Sequence, residues 1–188
     1  MVLRDITLQV WDSNPQMIVK YDQDYYYKML RQYAKTGELI ANIRWDFIQE
    51  YNPKTVLDYG SGLGFFAACA PEDVQVDTYD IGPFVTTGIR REHYDMLCLW
   101  DVLEHLPDFS CLDDHLKFTN LVAITVPMLP KGIELLSWKH FKPGEHLHYF
   151  TNETLDSIFK IYGFNRLKSG YPECPPRQDI ISIVYGRS

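Results

Sequence analysis

The stretch Thr55-Val56-Leu57-Asp58-Tyr59-Gly60-Ser61-Gly62-Leu63-Gly64 sets a short apolar run against three glycines at alternate positions. The run reads as a strand, and Phe65 to Ala70 reads as a short helix stopped by Pro71. Glycines between a strand and a helix let the backbone turn sharply and lie close to a ligand. A dinucleotide-binding loop would need its third glycine at position 65, where this chain has Phe65. Asp58, two residues before the first glycine, would oppose a pyrophosphate and instead suits a ligand with an ammonium group.

Upstream of this loop, residues 21–51 follow a helical pattern with a break at Thr36-Gly37, and Asn52-Pro53 ends the second helix. Downstream, Val74 to Tyr79 alternates like a strand and finishes at Asp80. Met96 to Trp100 and Leu121 to Val126 are continuous apolar runs, as expected of strands covered on both faces. Thr151 and Thr154 are candidate caps for a helix that puts Leu155, Ile158, Phe159 and Tyr162 on one face, and Gly163 is its stop. Ile180 to Tyr185 closes the chain as a strand. This alternation predicts an α/β fold with a doubly wound, mostly parallel sheet and N-terminal helices. Ligands of such sheets bind beyond the carboxyl ends of the strands, at the switch point.

At 188 residues, 46% apolar and 23% charged, the chain can bury a core, which excludes a disordered tail. No apolar run reaches the ~18 residues of a membrane helix. Arg4, Asp5 and Asp12 interrupt the first apolar stretch as a signal peptide would not allow, so a soluble cytoplasmic protein is expected. The net charge of −7 disfavours a nucleic-acid partner. Cys69, Cys98, Cys111 and Cys174 lack a CxxC spacing and read as reduced thiols. Without repeats or linkers, one domain over residues 1–188 is expected, with a helical extension or lid in 1–51 and a cofactor-binding core in 52–188. Tyr25, Tyr26, Tyr27 and Tyr33 exceed what two short helices need for packing, which favours the lid.

The string Asp58-x-Gly60-x-Gly62-x-Gly64 resembles the first motif of the class I S-adenosylmethionine-dependent methyltransferases. Asp80 stands 22 residues after Asp58, the distance at which doubly wound folds place a carboxylate on ribose hydroxyls. A vicinal diol offers two donors to its two oxygens. Asp101-Val102-Leu103-Glu104-His105 closely resembles the segment after the third strand in the small-molecule members of that family. The resemblance implies a Rossmann-like core with S-adenosylmethionine as cofactor. It also implies a cofactor-binding set of Asp58, Gly60, Ser61, Gly62, Gly64, Asp80, Ile81, Leu99, Trp100 and Asp101. The stretch Ile81 to Tyr94 is too short for the helix and further strand of a full core. The core is therefore expected to be trimmed between the second and fourth strands, with the adenine contacts unassigned.

Glu104 and His105 either brace the pocket wall or act on the substrate. In some quinone-biosynthesis O-methyltransferases an acidic residue, a Glu and a His at the places of Asp101, Glu104 and His105 hold a divalent metal; no metal is assigned to this chain. Glu145-His146-Leu147-His148-Tyr149-Phe150-Thr151 resembles a segment on the substrate side of the same group. A histidine is a natural general base for a hydroxyl or amine under methyl attack, so His105, His146 and His148 are the catalytic candidates beside a bracing role. His140 with His146 and His148 could suggest zinc, but no cysteine supports it.

The implied activity is O- or N-methylation of a small molecule. The Asn/Asp-Pro-Pro-aromatic string of base-methylating enzymes is absent after Trp100, and so is a Pro-Cys nucleophile. A binding protein that keeps the cofactor site without turnover, a modifier of RNA or protein, and a nicotinamide oxidoreductase are the alternatives. The oligomeric state is not indicated.

Overall fold

In the computed structural model, which describes residues 20–82, 88–175 and 177–187, the apolar runs become one six-stranded sheet. Its strands are β1 (Thr55–Tyr59), β2 (Gln75–Tyr79), β3 (Tyr94–Trp100), β4 (Thr119–Pro127), β5 (Phe164–Gly170) and β6 (Ile180–Arg187), in the order β2-β1-β3-β4-β6-β5. The first four pair in parallel, and β6 runs antiparallel between β4 and β5. The chain leaves β1 toward β2 on one side and returns as β3 on the other. The loops after β1 and β3 therefore diverge and open the switch-point crevice between them.

Five α-helices lie among the described residues: α1 (Gln23–Tyr33), α2 (Gly37–Ile48), α3 (Phe65–Ala68), α4 (Asp113–Lys117) and α5 (Asn152–Ile161). Side chains along β3 alternate between two apolar cores, because successive residues of a strand point to opposite faces. Leu97 and Leu99 join the core under α4 and α5, while Met96, Cys98 and Trp100 join Trp45, Phe47, Ile48 and Phe66 from α2 and α3. Burying an aliphatic side chain of this kind stabilises by about 1.5–3 kcal/mol. The Trp45 ring lies on Phe66 at 4.2 Å and donates its Nε1 hydrogen to the Phe66 carbonyl at 2.8 Å. Phe66 in turn meets Trp100 edge-on at 5.2 Å. A side chain at Gly37 would meet the Phe65 ring at 2.6 Å, so α2 seats on the segment that follows the glycine loop only because residue 37 has none.

The break at Thr36-Gly37 falls between α1 and α2, and α5 opens with the reciprocal Thr151–Thr154 capping box. The edge strand β5 was not expected, because its polar sequence exposes alternate residues and buries only Phe164 fully. Among the described residues between β2 and β3 there is no helix or strand, in line with a trimmed core. No helix of the described residues is long and apolar enough to cross a membrane.

Candidate functional site

The three glycines that follow β1 all take positive φ: 79° at Gly60, 54° at Gly62 and 76° at Gly64. L side chains rarely adopt this region, and a side chain at Gly60 would also meet Val102 at 2.5 Å. The amides of Gly60 and Ser61 donate to the Tyr79 carbonyl, which ties the loop to the end of β2. Asp80 completes the tie: its Oδ2 accepts from the Gly62 amide at 2.7 Å, and its Oδ1 accepts from the Gly82 amide at 2.8 Å and from the Tyr26 hydroxyl of α1. Ile81, one residue on, is mostly exposed.

Asp58, one residue before the end of β1, lies beneath this loop and is 1% exposed, with Oδ2 lacking any hydrogen-bond partner. Burial pushes its carboxyl up to about 7, and the Arg44 charge offsets that only in part. The Ser61 hydroxyl is likewise buried and unpartnered. A buried polar atom without a partner costs roughly 1–3 kcal/mol. Two such acceptors beside a glycine cradle suit a ligand that brings its own donors.

The end of β3 is built differently. Asp101, in the left-handed region at φ 60°, accepts two hydrogen bonds from Arg177 at 2.8 Å and one from Arg44 at 2.7 Å. Glu173 closes the ring, taking Arg44 Nε at 2.7 Å and Arg177 Nη1 at 2.6 Å. Burial alone would raise the Asp101 carboxyl, but the two guanidiniums outweigh it and hold it well below the usual carboxylate range. The Arg44 guanidinium also lies over Trp100, 5.2 Å from the ring centroid. Of the residues expected around the cofactor, Asp101 thus spends both oxygens within this ring. Leu99 is fully buried in the core under α4 and α5, since strand alternation sends it to the face opposite Trp100. Its side chain packs in that core, so only its backbone faces the end of β3.

His105 and His146 come together, with ring centroids 4.9 Å apart. His105 Nδ1 lies 2.8 Å from the Glu145 carbonyl, which can only accept, so Nδ1 carries the proton and Nε2 the lone pair. Nε2 stands 3.9 Å from Glu104 Oε1. Burial lowers the His105 pKa and takes His146 down to about 3, the latter helped by the His105 and Lys142 charges. Burial and the Asp101 charge hold the Glu104 carboxyl well above its usual range. Ligand atoms of Glu104, His105 and His146 lie within 4.8 Å of one another, so His146, not Asp101, stands with Glu104 and His105. His148 diverges: its Nε2 bonds the Leu106 carbonyl at 2.8 Å and its ring packs on Phe109. It braces the turn after β3 against the 146–150 segment, whose Leu147 and His148 amides also bond the Glu104 carbonyl. His140 Nε2 lies 3.4 Å from the Gln178 carbonyl, and the His140 backbone bonds the His146 ring.

Sequence reading missed Arg44, Glu173 and Arg177. Arg44 left a trace, being a cation flanked by Ile40, Ala41, Trp45 and Ile48 on the inward face of α2.

A methyltransferase-domain family model matches residues 26–169, and the chain belongs to that family. No curated protein sequence matches. Among solved structures, the chain is similar to a SAM-dependent methyltransferase from Archaeoglobus fulgidus, with TM-score 0.63 and 19% identity over 87% of this chain and 100% of that one. It is also similar to magnesium protoporphyrin IX methyltransferase from Synechocystis PCC 6803, solved with SAH bound, with TM-score 0.64 and 13% identity over 89% and 96%. Human N-acetylserotonin methyltransferase, in complex with SAM, matches with TM-score 0.64 and 13% identity over 87% of this chain but 55% of that enzyme. The chain likewise spans 59% of a Nostoc punctiforme PCC 73102 protein assigned as an O-methyltransferase. At these identities the likeness is one of fold.

Proposed function

We propose that this chain is an S-adenosylmethionine-dependent methyltransferase acting on a hydroxyl or amine of a small molecule. The observation that carries the reading is Asp58, buried under the glycine loop with one carboxylate oxygen unpartnered. Its position suits the ammonium of the cofactor's amino-acid end. Arg44, close enough to act on the Asp58 charge, suits the carboxylate of that same end. Asp80 is the residue for the ribose hydroxyls, and the three glycines let the backbone approach the ligand. When bound, the cofactor supplies a methyl group already activated on a sulfonium. The protein's part is to align the acceptor and take its proton.

His105 is the base best placed for that proton. The Glu145 carbonyl fixes the tautomer that leaves Nε2 free to accept, and the lowered pKa keeps the ring neutral at pH 7. A base must be neutral to accept, so turnover holds down to pH values below the ordinary ~6.5 and fails only in more acid solution. Tyr21, two residues before α1, meets His105 edge-on at 6.4 Å, which supports the reading of the N-terminal segment as a lid over the acceptor.

Four measurements test this. Calorimetry with S-adenosylhomocysteine should give a 1:1 complex while NAD gives none; the reverse would sink the cofactor assignment. His105→Gln should cost about 10²–10⁴-fold in turnover with cofactor affinity unchanged. His148→Gln should lower thermal stability more than the rate constant, in keeping with its brace. Cofactor binding without turnover across phenols, amines and carboxylic acids would favour a binding protein.

A further inference from the structure

Tyr26 is the sole fully buried residue of α1, and its hydroxyl reaches the site by way of Gly82. A side chain at Gly82 would lie 1.9 Å from the Tyr26 hydroxyl. Gly82 is not among the positive-φ glycines, so its backbone geometry does not call for glycine; what does is room for the phenol. The end of β2 is thus shaped to admit this one ring.

Three donors converge on Asp80, and they are not equivalent. The Gly62 and Gly82 amides belong to the backbone that forms the crevice. Only the Tyr26 hydroxyl arrives on a separate element, and it is an O–H donor to a carboxylate, the same chemical group that a ribose presents. α2 is sunk in the core through Trp45, Phe47 and Ile48, whereas α1 buries Tyr26 alone and otherwise lies over the glycine loop, with Met29 facing Gly62. Tyr25 links the two ends of the contact, packing on Tyr26 at 5.8 Å and on Tyr21 at 4.8 Å, and Tyr21 reaches His105.

Resting on the reading that Asp80 holds the cofactor's ribose, we infer that Tyr26 occupies the ribose position as an internal competitor, so that cofactor entry displaces α1 and uncovers His105. The exchange swaps one hydroxyl donor on Asp80 for another, so it costs little at the carboxylate. Its other effect is to lift Tyr21 from the base. Binding is therefore ordered, cofactor before acceptor. Affinity measured in the resting protein is reduced by the fraction of molecules in which Tyr26 is latched.

Tyr26→Phe keeps the ring and removes only the competing donor. S-adenosylhomocysteine should then bind about tenfold more tightly in calorimetry, and the gain should vanish on an Asp80→Ala background. Unchanged or weaker binding by Tyr26→Phe, with Asp80→Ala alone weakened, overturns the latch while leaving the ribose reading standing. Unchanged binding by Asp80→Ala alone overturns the ribose reading, and the latch with it. Should the Phe variant fold poorly, hydrogen exchange on the unaltered protein decides. Amides of residues 23–33 should lose protection when S-adenosylhomocysteine is added; protection kept or gained overturns the latch.

Discussion

Asp58 and Asp101 close neighbouring strands and are held in opposite ways. Asp101 is ringed by two guanidiniums and kept ionised well below the usual range. Asp58, buried with a single offsetting cation, has an unpartnered oxygen and a carboxyl pushed up to about 7. The Asp101 carboxylate is complete within the protein; Asp58 Oδ2 is without a hydrogen-bond partner, which is what the proposed cofactor would supply. Burial differs in degree, Asp58 being 1% exposed and the Asp101 side chain 25%. What separates a structural charge from a binding one is whether the protein itself supplies the counter-charge.

The contrast breaks most visibly in stability. Asp101→Ala leaves Arg44 and Arg177 with Glu173 alone, and unpairing such buried charges costs about 3–5 kcal/mol. Urea unfolding reads this directly, and a loss below about 1 kcal/mol would mean that the ring is screened like a surface pair. Asp58→Asn should fold well but bind S-adenosylhomocysteine about 1.5–3 kcal/mol more weakly, the scale of a hydrogen bond to a charged group.

The pH dependence sharpens the same comparison. Binding an ammonium needs ionised Asp58, so wild-type affinity should rise as pH passes about 7, and the Asn variant should be flat. Stability runs the other way. A carboxyl whose folded pKa is raised contributes stability that is present below its unfolded value and is lost as pH climbs through about 7. Asp101, with its pKa lowered, contributes stability above the unfolded value that is lost as pH falls into the acid range. Opposite slopes for Asp58→Asn and Asp101→Asn in chemical denaturation would bear this out; parallel slopes would erase the distinction. A smaller effect belongs to Ser61→Ala, about 0.5–1.5 kcal/mol in cofactor affinity with unchanged stability. Smallest of all is a chelator, which should leave turnover unaltered where His105 acts as the base; turnover lost and restored by a divalent metal would instead make Glu104, His105 and His146 a metal site.

The end of β1 was legible because its signals are local. A strand, a buried acid and three glycines lie within ten residues, and Asp80 follows at a set interval. The end of β3 was not, since Asp101 owes its state to Arg44, 57 residues away, and to Arg177, 76 residues away. Single charges so far apart leave no periodic trace, although Glu173 and Arg177 are four residues apart. The edge strand β5 was missed for a related reason. With one face in water, Asn165, Arg166 and Lys168 obscure its apolar pattern, and pairing with β6 makes it a strand. His146 and His148 read alike in sequence, and the Leu106 carbonyl that holds His148 lies 42 residues from it, beyond the reach of any local pattern.

The stack of Trp45, Phe66 and Trp100 gives the molecule an optical gauge. Two indoles sit on either side of the phenylalanine, and one of them lies beneath the Arg44 guanidinium. A cation over an indole shifts its emission, so any ligand that draws Arg44 toward a carboxylate changes the colour and yield of Trp100. Trp138 lies apart with His140 and Tyr149 and serves as the internal constant. Occupancy of the crevice can therefore be followed by intrinsic fluorescence, without a label and without a known acceptor.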